Sequence, residues 1–217
     1  MALALFDLDE TLLAGDSDYE WGQYLVSINK VAAEYYASEN QRFYEEYLAG
    51  TLDVFEFLNF ALKPLAENPY AELVQWRDDY IEQRIKPIIK HKAHELIASH
   101  RNAGDYLAIV TATNRFITEP VKDILGFDQL LATEPEMKNG EFTGNVLGTP
   151  NFGEGKVTRV KEWLETSKQA LQGSFFYSDS RNDIPLLELV DHPVVVDGDE
   201  KLTQHAIQNN WKRISLL

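Results

Sequence analysis

The unbroken apolar run Ala2-Leu-Ala-Leu-Phe6, cut off at Asp7-Leu-Asp9-Glu-Thr11, constrains this chain more than any other feature. A run so brief suits a strand buried on both faces of a parallel sheet rather than a helix. Comparable runs return at 106–111, 174–178 and 193–197. Helical patterns lie between them: 94–102, followed by Gly104; 119–125, ending at Gly126; and 156–164, with Val157, Val160, Trp163 and Leu164 at helical spacing. Strands alternating with helices predict an α/β layered core around a parallel sheet.

Residues 16–85 read differently. They are rich in Tyr, Glu, Leu and Phe with helical periodicity and no convincing strand. Breaks fall at Gly50-Thr-Leu-Asp53, where Asp53 is placed to cap the next helix, and at Glu67-Asn-Pro-Tyr70. The reading is a helical bundle inserted after the first strand, giving a core of 1–15 plus 86–217 and an insert of 16–85. Asn139-Gly140 predicts a type I′ hairpin.

Composition narrows the function. The chain has 217 residues, with 20 Lys and Arg against 35 Asp and Glu, a net charge of −15. That balance opposes nucleic acid or an anionic membrane as partner. No stretch reaches the length of a membrane span. The N-terminus lacks the basic and long apolar regions of a secretory signal, and Cys 0 excludes disulfides and thiolate metal sites. A cytoplasmic protein, monomer or homodimer, is expected.

Ligands of open α/β sheets bind beyond the C-terminal ends of the strands. The first run ends in Asp7, Asp9 and Thr11, the second in Thr111-Ala112-Thr113-Asn114, the third in Ser178-Asp179-Ser180-Arg-Asn182-Asp183. Lys156 sits among glycines, in Phe152-Gly-Glu-Gly-Lys156, ahead of a helix. Carboxylates crowded on one edge repel unless a cation lies among them, and an all-oxygen donor set points to Mg²⁺. Metal and lysine together suit a phosphoryl group. Each residue alone has a plainer reading. Asp7 and Asp9 would be capping groups, Thr111 a turn hydroxyl, Lys156 a solvated lysine, and Asp179 and Asp183 turn residues.

In combination these segments resemble the haloacid dehalogenase superfamily. Phe6-Asp-Leu-Asp-Glu-Thr-Leu12 is similar to its first motif; Thr111, Lys156 and Asp179 with Asp183 match the second, third and fourth in order. The insert falls where the superfamily's C1 cap belongs. The resemblance is nearest to the phosphoserine-phosphatase-like branch, whose Rossmann-like core carries an α-helical bundle cap. It implies an Mg²⁺-dependent phosphomonoesterase acting on a small phosphorylated metabolite. Asp7 would be nucleophile and metal ligand. Asp9 would be general acid and base, and ligand through its carbonyl. Thr111 and Lys156 would hold the phosphoryl with Ala112, Thr113 and Asn182 beside it; Asp179 would complete the metal ligands and Asp183 would steady them. An acid at position 9 favours a phosphatase or phosphotransferase over a dehalogenase. The fourth motif departs from the usual Gly-Asp-Gly-x-x-Asp.

Phosphoserine phosphatases resemble one another in a cap arginine that binds the substrate carboxylate. Asn59, Phe60 and Ala61 stand there in this chain, and Lys63 is the nearby cation. Asp16, Asp18, Glu20 and Trp21 are taken as cap substrate-binding residues, Trp21 for stacking, although a solvated first helical turn and a core tryptophan are the plainer readings. An anionic mouth favours a cationic leaving group without a carboxylate, such as that of an amino-alcohol phosphate. The resemblance to phosphoserine-phosphatase-like proteins of bacteria that act on histidinol phosphate, a histidine-biosynthesis intermediate, makes that compound the expected substrate. Phosphoserine hydrolysis, phosphoryl transfer to an alcohol and non-catalytic binding are the rivals. His91 and His94 read as a surface helix start; His100, His192 and His205 have no evident partner. Tyr35, Tyr36, Phe43, Tyr44 and Tyr47 read as core or interface.

Overall fold

A computed structural model describes residues 2–217. Strand β1 (Leu3–Phe6) is buried throughout and lies between β2 (Tyr106–Asn114) and β6 (Phe175–Ser178), parallel to both. With β3 (Gln129–Thr133), β7 (His192–Val196) and β8 (Lys212–Ile214) they form one parallel sheet, ordered β3-β2-β1-β6-β7-β8. Successive side chains of β1 serve opposite faces. Ala4 and Phe6 join one apolar cluster, Leu3 and Leu5 the other. Helices α5 (His91–Asn102), α6 (Arg115–Leu125), α7 (Glu154–Thr166), α8 (Ile184–Leu187) and α9 (Glu200–Gln208) connect the strands. The result is the expected α/β, Rossmann-like arrangement. The chain builds outward from β1 to β3, then returns to β6 on the other side, so the strand order reverses beside β1.

Two strands escape the sequence reading. β3 follows too closely on Gly126 to separate from its turn, and β8 is an edge strand, Lys-Arg-Ile, with no apolar run. The hairpin of β4 (Pro135–Lys138) and β5 (Glu141–Val146) turns at Asn139 (φ 54°) and Gly140 (φ 86°), the pair of positive angles that a type I′ turn requires.

Between β1 and α5 lie α1 (Ser17–Ser27), α2 (Ala33–Ala49), α3 (Val54–Ala66) and α4 (Tyr70–Tyr80), the last prolonged by a π-helical turn and a 3-10 turn. Asp53 caps α3 by accepting from the backbone N–H of Phe55 (2.9 Å) and Glu56 (3.2 Å), and Gly50 ends α2 in the left-handed conformation. The break between α1 and α2 turns on Asn29, at φ 57°, and carries no Gly or Pro to announce it. The outgoing and returning chains meet where Ala14 donates to the Ile88 carbonyl (2.7 Å) and Lys90 to that of Leu12 (3.0 Å). Tyr36, Phe43 and Phe60 form a small core of the helical layer, whereas Tyr35 and Tyr44 are exposed. His100 has partners after all: it is buried between Asp105 (2.9 Å) and the Tyr177 hydroxyl (2.7 Å). Among the described residues no helix is long and apolar enough to cross a membrane.

Candidate active site

The sheet's hydrogen bonding continues one residue past β1, where the Asp7 N–H donates to the Tyr177 carbonyl (2.9 Å), and this plants the Asp7 carboxylate at the strand-order reversal. Lys156 Nζ donates to Asp7 Oδ1 and to Asp183 Oδ2, at 2.8 Å each, and all three side chains are buried. Ser178 Oγ donates to the same Asp183 oxygen (2.7 Å). Thr11 Oγ1 donates to Asp179 Oδ1 (2.8 Å) and lies 3.4 Å from Asp7 Oδ2, so one hydroxyl draws these two carboxylates together.

Lys156 reaches the site through a crowded loop. A Cβ on Gly155 would stand 2.0 Å from the Pro150 carbonyl oxygen, so only glycine permits this approach. The loop is pinned by the buried Asn151 amide, which donates to the carbonyls of Thr111 (2.8 Å) and Leu131 (2.9 Å). Nothing in the sequence singles out Asn151.

Asp9 points toward α1. Its Oδ1 accepts from the Ser17 N–H (2.7 Å), and its Oδ2 from the hydroxyls of Thr113 (2.8 Å) and Thr111 (3.3 Å). The Thr111 hydroxyl also accepts from the Thr113 N–H (3.2 Å), and Thr111 is fully buried. Both hydroxyls therefore serve Asp9 in this geometry, while Ala112, Thr113 and Asn182 line the cavity above it.

The cluster sets four acids, Asp7, Asp9, Asp179 and Asp183, against one cation, Lys156. Burial, and then Asp7, push Asp179 up to about 8. Burial also raises Asp183 to about 6 against the pull of Lys156, and Asp9 to about 6 with Asp16 adding to it. Asp7 is raised by burial despite Lys156. Burial disfavours the charge on Lys156, but Asp183 and Asp7 outweigh it and hold the ammonium protonated. A hard divalent cation would relieve this crowding. Among the described residues no three His, Asp or Glu side chains are grouped to hold a metal. The smaller set of oxygen donors that Thr11 draws together, the Asp7 and Asp179 carboxylates, could hold such an ion. That set fits Mg²⁺, which binds through one or two carboxylates and keeps several waters.

A cavity of about 890 Å³ joins this cluster to the helical layer. Asp16, Asp18, Glu20 and Trp21 all line it, in different states. Asp16 caps α1 through the Tyr19 N–H (2.8 Å), and Glu20 is paired with Arg84 (3.4 Å), a cation that the sequence reading overlooked. Trp21 is not a free stacking platform. It is 1% exposed, stacks on Tyr24 and meets the edges of Tyr80 and Phe116. Lys63 pairs with Glu67 on the surface and does not line the cavity. The cations that do are Lys156, held by Asp7 and Asp183, and Arg181, whose guanidinium donates to the carbonyls of Tyr47 (2.6 Å) and Leu48 (2.9 Å). With the Tyr47 hydroxyl 2.7 Å from Ser180 Oγ, these bonds fasten the fourth-motif loop to α2. A second cavity, at Phe175, His192 and Trp211, opens at the other end of β6 and β7, away from all of these residues.

Residues 4–188 match the family model described as haloacid dehalogenase-like hydrolase. A protein of Neisseria meningitidis named histidinol-phosphatase is 40% identical over 213 residues, 96% of each chain. A crystal structure of a Bordetella pertussis protein of unknown function superposes with a TM-score of 0.94 at 39% identity, covering 100% of this chain and 99% of that one. A substrate-bound phosphoserine phosphatase shares the fold, with a TM-score of 0.71 at 20% identity over 97% of this chain and 98% of the other.

Proposed function

Since the chain belongs to the haloacid dehalogenase-like hydrolase family, and is a phosphatase of that family, we propose that it hydrolyses histidinol phosphate through a phosphorylated Asp7. Residues 16–85 act as a cap over the site, and the cysteine-free composition suits a cytoplasmic enzyme. Asp7, Asp179 and the Asp9 carbonyl would hold Mg²⁺, which when bound would supply positive charge to the phosphoryl oxygens.

The chain's own residues carry the steps. Lys156 fixes Oδ1 of Asp7 and favours its carboxylate form against the burial that disfavours it. An Asp7 oxygen forms a bond to phosphorus as the bond from phosphorus to the alcohol oxygen breaks, and protonated Asp9 gives its proton to the departing oxygen. Asp9, now a carboxylate, takes a proton from water as the water oxygen attacks phosphorus and the bond to Asp7 breaks. A value near 6 suits a group that must both give and take a proton near neutrality. Asn182, Ala112 and Thr113 line the phosphoryl end, Thr111 acts there through its bond to Asp9, and the buried Asp183 steadies Lys156.

One observation carries the choice of substrate: Asp16, Asp18 and Glu20 line the leaving-group side of the cavity, and each cation lining the cavity is already engaged. Burial and repulsion from neighbouring acids already disfavour the charges of Asp16 and Asp18, so a carboxylate-bearing leaving group would add to the crowding and an ammonium or imidazolium would relieve it. The name of the 40%-identical Neisseria protein supports the same reading. Phosphate release should favour histidinol phosphate over phosphoserine by at least about 10²-fold in kcat/KM, with Asp7→Asn as blank. A preference for phosphoserine would refute the assignment.

EDTA should abolish turnover and Mg²⁺ restore it. Saturating Mg²⁺, at about 100 times Kd, should also stabilise the fold by about 2.7 kcal/mol. Asp179→Asn removes one of the crowded charges, so without metal it should unfold at a higher temperature than wild type and gain little from Mg²⁺. Undiminished activity in EDTA would contradict the metal assignment.

A further inference from the structure

Two N–H donors on the cap side of the cavity are buried without an acceptor among the described residues: Nε1 of Trp21 and Nδ2 of Asn40. Buried donors left unpaired are costly and rare, so this pair on the cap side, with Asn182 Nδ2 also unpaired at the other end of the cavity, calls for a ligand that brings acceptors. The same wall also holds an unused acceptor. Asp16 is occupied as a helix cap and Glu20 by Arg84, whereas the Asp18 carboxylate has no hydrogen bond or ion pair among the described residues.

The helix crossing brings donor and acceptor to one place. Asp18 and Gly22 share a face of α1 at i and i+4; Tyr36 and Asn40 share a face of α2 in the same way. A Cβ on Gly22 would lie 2.6 Å from the Tyr36 ring and 3.8 Å from Asn40 Nδ2. The glycine thus lets α2 close onto α1 and sets the Asn40 amide on the Asp18 face. Phe43, Phe57 and Phe60 line the cavity with apolar surface suited to a flat ring.

We infer that Asp18 and Asn40 form the subsite that reads the leaving group's imidazole, whose N–H donates to the Asp18 carboxylate and whose unprotonated nitrogen accepts from the Asn40 amide. The inference rests on the proposed function and assigns two specificity residues to it. A phenyl ring of similar size satisfies neither group, and a substrate carboxylate that accepted from Asn40 would add negative charge beside Asp18, whose own ionisation burial already disfavours.

The test compares histidinol phosphate with phenylalaninol phosphate, which has the same aminopropyl phosphate skeleton and no ring nitrogen. Wild type should prefer the imidazole substrate by at least about 10²-fold in kcat/KM. Asn40→Leu and Asp18→Asn should each shrink that ratio by about 10-fold or more, and Asn40→Leu should raise turnover of the phenyl substrate. Independently of any variant's folding, calorimetry on wild type should show L-histidinol binding more tightly than L-phenylalaninol. Equal binding of the two alcohols, or equal losses on both phosphates in the variants while histidinol phosphate stays preferred over phosphoserine, overturns the subsite alone. Turnover of phosphoserine without turnover of histidinol phosphate overturns the subsite and the proposed function together.

Discussion

An Asp7→Asn enzyme should release phosphate from histidinol phosphate at least about 10⁴-fold more slowly than wild type, because an amide is a poor nucleophile and no neighbouring group can replace it. Asp9 is turned toward Ser17 and Thr113, Asp183 is bound by Lys156 and Ser178, and Asp179 is held by Thr11. The loss should come with little structural change. The substitution removes one charge from a cluster in which burial already raises every carboxylate, and Lys156 keeps Asp183 as partner. The thermal midpoint should stay within a few degrees of wild type, so residual activity above that level in a folded variant would count against Asp7 as nucleophile.

Lys156→Met should fail for a different reason. The ammonium is the one cation between Asp7 and Asp183, which are 6% and 2% exposed. Removing it leaves two carboxylates buried and unpaired, a defect that typically costs about 3–5 kcal/mol. For a chain of this size that is a fall in thermal midpoint of roughly 6–20 °C. Turnover should be lost as well, since the transferring phosphoryl loses its fixed cation. Adding Asp183→Asn should recover much of the stability, because one of the unpaired charges disappears, and none of the activity. A Lys156→Met protein as stable as wild type would mean that the site is better solvated than its burial implies. The double variant therefore separates the structural and chemical roles of one side chain.

The catalytic end of the site was legible because its chemistry sits where apolar runs stop. Asp7, Asp9, Asp179 and Asp183 each follow a buried strand within a few residues, Thr111 stands where the apolar run of β2 stops although the strand itself continues to Asn114, and the sheet brings those ends to one edge. Lys156 was legible through its glycines, of which Gly155 is required by the Pro150 carbonyl. The cap side was not. Arg84 lies in a π-helical turn far along the chain from Glu20, and Tyr47 is remote in sequence from Ser180 and Arg181. Such pairings depend on how helices cross, and a polar residue on a helix gives no sign of which neighbour it will face. Asn40 is of the same kind; its place follows from Gly22, whose missing side chain matters only once α2 lies against it. Strand β8 was lost because an exposed edge needs no apolar run.

The covalent step admits a direct measurement. Wild-type enzyme mixed with histidinol phosphate labelled in its phosphoryl group, quenched in acid within a turnover and digested, should carry the label on the peptide containing Asp7. Label on any other residue, or full turnover with no phosphorylated protein at any quench time, would contradict the account.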